Sequence, residues 1–101
     1  MTRTERGKLT QPLYVRDDLI LQGMAVAGAT VEAGGSLDLQ GHLTGTLIVR
    51  EGGSAEIHGT VVGEVRNEGG RVAVFGIIIG NLVRSAGHTS VSPHAVIKGE
   101  G

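Results

Sequence analysis

Four histidines, His42, His58, His88 and His94, are the residues of this chain best suited to metal binding or acid–base chemistry. A catalytic zinc site takes three protein ligands that converge on one ion and leaves a further position open. Convergence depends on where the chain's repeat of about 18 residues sets each side chain. His58 falls in the column of Gln40 and Phe75, whereas His42 falls in that of Thr60 and Ile77. His88 and His94 lie in an irregular last stretch. The four therefore read as surface or corner histidines. Arg16-Asp17-Asp18 is the one compact acidic cluster near an edge, and it reads as a solvated cap on the first turn. The run Gly63 to Gly70, "GEVRNEGG", has the glycine content of a phosphate-cradling loop. It lacks the Gly-Lys-Ser/Thr ending and the strand–helix context that such a loop needs. The expectation is a chain without catalytic, metal-binding or cofactor-binding residues, and with no cofactor.

The elements that position these residues come from an internal repeat. Gly23, Gly41, Gly59 and Gly76 are spaced 18, 18 and 17 residues apart, and Gly28, Gly45, Gly63 and Gly80 are spaced 17, 18 and 17. A third register holds Gly34-Gly35, Gly52-Gly53 and Gly69-Gly70. Between glycines the apolar residues alternate. Leu37 and Leu39 correspond to Ala55 and Ile57 and then to Val72 and Val74. Leu43, Val61 and Ile78 share a second column, and Leu47, Val65 and Leu82 a third. Alternation is a strand pattern, and segments of four to six residues punctuated by glycine do not sustain a helix.

Three short strands per repeat, each ending at a glycine corner, describe one turn of a parallel β-solenoid of roughly triangular section. Stacked turns align equivalent residues, so Leu39, Ile57 and Val74, with Leu43, Val61 and Ile78, are the expected inward core columns. Ile97 is expected to extend the Leu39 column. Residues 13–28 read as a degenerate first turn, with Leu19 and Leu21 before Gly23 as Leu37 and Leu39 precede Gly41. The last turn reads as long, because Gly76 and Gly99 are 23 residues apart, with about five extra residues assigned to "RSAGHTS". Residues 1–12 read as a flexible amino-terminal arm and 13–101 as the solenoid domain.

Composition removes several function classes. With 101 residues the chain makes one domain, and its net charge of −1 offers no basic field to a nucleic-acid backbone. One Phe, one Tyr and no Trp leave almost no stacking platform for bases. Zero cysteines exclude disulfides and fit a reducing compartment. The opening "MTRTERGKLTQP" has no apolar run, and the longest apolar stretch, "VAVFGIII", is far short of the roughly 20 residues of a membrane helix. The expected location is the cytoplasm, with a peripheral place at the inner membrane left open. The charged residues Glu32, Glu51, Glu56, Glu64 and Glu68, interleaved with Arg50, Arg66 and Arg71, read as solubilising faces that discourage sideways sheet association.

The segments "GHLTGTLIVREGGSAEIHGTVVGEV" and "VSPHAVIKGEG" resemble bactofilins, small bacterial filament-forming proteins, over about residues 18–101. The resemblance implies a right-handed β-helix, end-to-end polymerisation without nucleotide, and roles in cell shape or protein localisation. The polar amino terminus differs from relatives that open on an apolar membrane-targeting segment, and there are fewer turns here than in many of them.

Unpaired strand edges at the two ends of a solenoid are templates for another chain. Leu19 and Leu21 at one end, with Val91, Ala95 and Ile97 at the other, are the expected self-assembly residues of the terminal turns. The expected function is thus a non-enzymatic scaffold whose main partner is itself, with other proteins recruited to it and no nucleic acid. The alternative is a discrete protein-binding solenoid, of inhibitor or immunity type, acting as a monomer or closed dimer. A hexapeptide-repeat-like enzyme ranks behind both.

Overall fold

The computed structural model describes residues 2–98, and every regular element among them is a β-strand. The twelve strands are β1 (Thr2–Glu5), β2 (Lys8–Leu9), β3 (Leu13–Val15), β4 (Asp18–Leu21), β5 (Met24–Ala25), β6 (Ala29–Val31), β7 (Ser36–Leu39), β8 (His42–Val49), β9 (Ser54–Ile57), β10 (Thr60–Val74), β11 (Ile77–Val91) and β12 (Val96–Lys98). All their pairings are parallel. The chain is a β-solenoid with three faces. The first face stacks β1, β4, β7, β9 and residues 71–74 and 88–91. The second stacks β2, β5, the start of β8, residues 60–63 and 77–80, and β12. The third stacks β3, β6, the end of β8, and residues 65–67 and 82–84.

Alternation along each strand sends every second side chain into the space between the faces. Leu19, Leu21, Leu37, Leu39, Leu43, Leu47, Ile57, Val61, Val74 and Ile78 are all buried there. The six expected core-column residues lie in two stacks. Leu39, Ile57 and Val74 are in register on the first face, and Leu43, Val61 and Ile78 on the second. Burial of a column of this kind is favourable at about 25 cal/mol per Å² of apolar surface removed from water.

The Gly-x-x-x-Gly units are short second-face strands held between two corners, both of which leave no room for a Cβ, and the second adds a positive φ. At Gly59 the backbone lies so close to the coil beneath that an added Cβ would strike the Gly41 carbonyl oxygen. The amides of His58 and Gly59 both donate to the Leu39 carbonyl there, at 2.8 Å each. At Gly63 the backbone also takes φ 138°, outside the range that side-chain-bearing residues adopt.

Among the described residues one fully buried side chain is polar. Asn67 is fully buried in the third-face column above Val49. The β10–β11 pairing shifts register just after it, between Asn67 and Arg71. Its amide bridges the break: Nδ2 donates to the His88 carbonyl and to Thr89 Oγ1, both at 3.0 Å. Its Oδ1 accepts from the amides of Gly69 (3.1 Å) and Gly70 (2.9 Å). All four hydrogen-bonding sites of the carboxamide are used, which removes the desolvation penalty of burying it.

The structure departs from the expected outline in three places. Residues 2–15 contribute a first coil rather than an arm, because β1 pairs in register with β4, β2 with β5 and β3 with β6. Its first-face inward positions are Arg3 and Glu5, over Leu19 and Leu21, so the apolar alternation that marks the other coils is missing. The last coil is also more regular than expected. "RSAGHTS" continues the third and first faces, and its residues pair with β10. The two added residues fall later, in the turn Ser92–Ala95, where the Ala95 amide donates to the Ser92 carbonyl. Consequently Ile97 stands on Ile78 in the second-face column, not on Val74, whose neighbour is Val91. No helix of the described residues is long and apolar enough to cross a membrane.

Candidate functional site

Two features of this scaffold could carry function: its open ends and a charged cluster on the first face. At the amino-terminal end β1, β2 and β3 each have a neighbour on one side only among the described residues. At the other end the same holds for residues 82–84, 88–91 and β12. Each exposes a row of backbone donors and acceptors free to pair.

The expected assembly residues distribute unevenly over these ends. Leu19 and Leu21 are buried beneath the first coil and so do not lie on a terminal surface. Their place at the end is taken by Arg3 and Glu5 on the first face, with the partly buried Leu9 and Leu13 on the other two. At the carboxyl-terminal end Val91 is exposed, while Ala95 and Ile97 are half-buried and packed against the core. Leu82 and Arg84 complete that end on the third face.

The charged cluster is built by the repeat itself. Asp38 on β7 and Glu56 on β9 are directly opposite across adjacent strands. Both point outward, between the inward residues Leu37 and Leu39 and their partners Ala55 and Ile57. His58 follows at the first-to-second corner. Its ring stacks on Phe75 of the next coil, with centroids 4.9 Å apart and planes within 8°. That leaves His58 Nε2 3.8 Å from Asp38 Oδ1 and 3.8 Å from Glu56 Oε2. One ligand atom from each of the three residues lies within 4.8 Å of the others.

A ladder of side chains fixes the carboxylate of Asp38 from the opposite direction. Arg6 Nε donates to Gln22 Oε1 (3.1 Å), Gln22 Nε2 to Gln40 Oε1 (3.1 Å), and Gln40 Nε2 to Asp38 Oδ2 (3.3 Å). The second oxygen, Asp38 Oδ1, is buried and accepts no hydrogen bond. Sequence analysis assigned His58 its correct column neighbours but treated histidines and carboxylates separately, and so missed the cluster. The signal was present, since Glu56 lies 18 residues after Asp38 and two before His58.

Several other charged groups form partly exposed pairs. Arg50 lies 3.6 Å from Glu32 and 3.8 Å from Glu68, Arg66 lies 2.7 Å from Glu64, and Arg3 lies 2.9 Å from Asp17. Each is worth under about 1 kcal/mol. Asp17 thus ties the first coil to the corner beside it. His42 stands on the outer second face between Met24 and Thr60, away from His58. His88 is exposed on the last first-face rung, and His94 is exposed in the turn after it.

Tyr14 and Phe75, the two aromatics, sit on different parts of the surface, the third face and the first-to-second corner. A contiguous apolar block does occur on the outer second face. Val62 is in register with Ile79, and Ile77 with Val96, all about two-fifths exposed. Comparison with protein-family models, curated proteins and solved structures gives no match to this chain.

Proposed function

We propose that this chain is a non-enzymatic structural protein whose units join end to end through their terminal coils, without nucleotide, as the resemblance to bactofilins implies. The observation that carries this reading is the open parallel ladder at both ends of the described chain. A second copy stacked in continued register would pair residues 88–91 with β1 and β12 with β2. Ile97 would then meet Leu9 and extend the core, while Val91 would meet Glu5, a less favourable contact. Charged pairs at the corners oppose sideways growth.

Size decides how tight such a joint can be. The molecule measures 30 × 24 × 21 Å. The long dimension fits six first-face rungs at about 4.8 Å each plus the chain's own thickness. A joint across the 24 × 21 Å section covers at most about 500 Å² per partner, the floor for a specific interface. Assembly should therefore rise steeply with protein concentration, and it should not respond to added nucleotide.

Light scattering and electron microscopy of the wild type beside Ile97→Arg test this. The wild type should form end-linked oligomers or single filaments. The variant puts a charge in the last coil, leaves the central coils folded by circular dichroism, and should stay monomeric. A wild type that is monomeric at every concentration, or a folded variant that assembles as well, rejects the scaffold.

The block Val62, Ile77, Ile79 and Val96 favours a second reading, in which this face docks one protein partner. Ile79→Glu would then abolish partner binding while leaving end-to-end assembly intact.

A further inference from the structure

We propose that Asp38, Glu56 and His58 form a binding site for a divalent first-row transition metal of the zinc class. Three observations converge on a cation there. The fold sets two carboxylates directly opposite each other on adjacent strands, an arrangement of like charges that is destabilising unless something positive lies between them. The buried oxygen Asp38 Oδ1 has no hydrogen-bond donor, so it has lost water without gaining a partner. The imidazole of His58, held by its stack on Phe75, aims Nε2 at both carboxylates at 3.8 Å.

The donor set selects the metal. Calcium and magnesium take oxygen ligands, whereas an imidazole nitrogen beside carboxylates suits zinc and its neighbours. Zinc bonds of about 2.1 Å in a tetrahedron place ligand atoms about 3.4 Å apart. The present separations of 3.8 Å, and of up to 4.8 Å across the set, need only small closing rotations. Glu56 is exposed and free to make them, while the Phe75 stack holds His58 and the Gln40–Gln22–Arg6 ladder holds Asp38 as outer-shell partners hold a ligand. Three protein ligands leave a coordination position for water. An ion here would tie β7 to β9 and so join two consecutive coils.

The test uses the tag-free chain and zinc chloride alone, followed by equilibrium dialysis and by thermal melting. One zinc per chain should bind saturably and raise the melting temperature, with magnesium giving no shift. Outer-shell changes alone weaken metal sites by roughly ten- to a hundredfold. Loss of a ligand in His58→Ala or Asp38→Asn should therefore weaken zinc binding by about tenfold or more. Glu56→Gln, at an exposed side chain, gives the same readout should either variant fold poorly. His42→Ala should bind as the wild type does. No saturable uptake, or equal uptake by folded His58→Ala, would mean ions on scattered surface histidines only, and would overturn the site. Because end-to-end assembly is read separately, either result leaves that proposal unchanged.

Discussion

Val61→Asp is expected to leave the chain unfolded. Val61 has 0% of its surface exposed and is in register with Leu43 below and Ile78 above, both also at 0%. The substitution forfeits about 1.5–3 kcal/mol of apolar burial. It also places a carboxyl group, charged or neutral, where no donor can reach it, at a cost of roughly 2–7 kcal/mol. The sum rivals the whole stability of a domain this size, about 5–15 kcal/mol. One residue further along, Val62→Asp points the same group outward and should cost only about 1 kcal/mol, the span of strand propensity. Circular dichroism and urea titration of the pair read the contrast. A folded Val61→Asp protein would mean that the second-face column does not line a dry core.

Gly59→Ala should be strongly destabilising through steric overlap alone, since no positive φ is involved there. The new Cβ has to displace the Gly41 carbonyl, which is backbone and cannot rotate away. Lifting it also strains three hydrogen bonds, from His58 and Gly59 to Leu39 and from Thr60 to Gly41, at 2.8, 2.8 and 3.0 Å. At about 1 kcal/mol for each bond, a loss of about 3 kcal/mol is expected. Gly34→Ala is the comparison. Gly34 has φ 83° but nothing within 4 Å of an added Cβ, so only the conformational cost applies, about 1–2 kcal/mol. Urea midpoints in the opposite order would show that space between coils is not what the Gly41–Gly59 column requires.

Much of this architecture was legible because the repeat writes itself in two independent ways. Glycine spacing located the corners, and apolar alternation located the inward columns, so Leu39 with Ile57 and Leu43 with Val61 could be paired without coordinates. Legibility failed where one of the two was absent. The first coil has Arg3 and Glu5 where the next two coils have leucine, so its first-face strand carries no apolar signal and only Gly7, in the Gly23 column, continues the repeat. In the last coil Ala95 stands over Gly76, so the glycine column that marks this corner in the preceding coils stops there. Gly99 itself lies outside the described residues. The acid–histidine cluster was hidden for another reason. Its members come from outward positions, which obey no hydrophobic rule, and Asp38, Glu56 and His58 meet only when adjacent coils are superimposed.

The strictly parallel stacking of coils, each bonded only to the one before and the one after, also fixes how the molecule would respond to tension. Load applied through the chain ends meets one rung of hydrogen bonds at a time, so the bonds open in sequence rather than together. Each detached coil releases 17 or 18 residues over the central repeats, which extend to about 60 Å at roughly 3.4 Å per residue. Such a body yields in small, repeated and recoverable steps, the behaviour of a shock absorber rather than of a rigid strut.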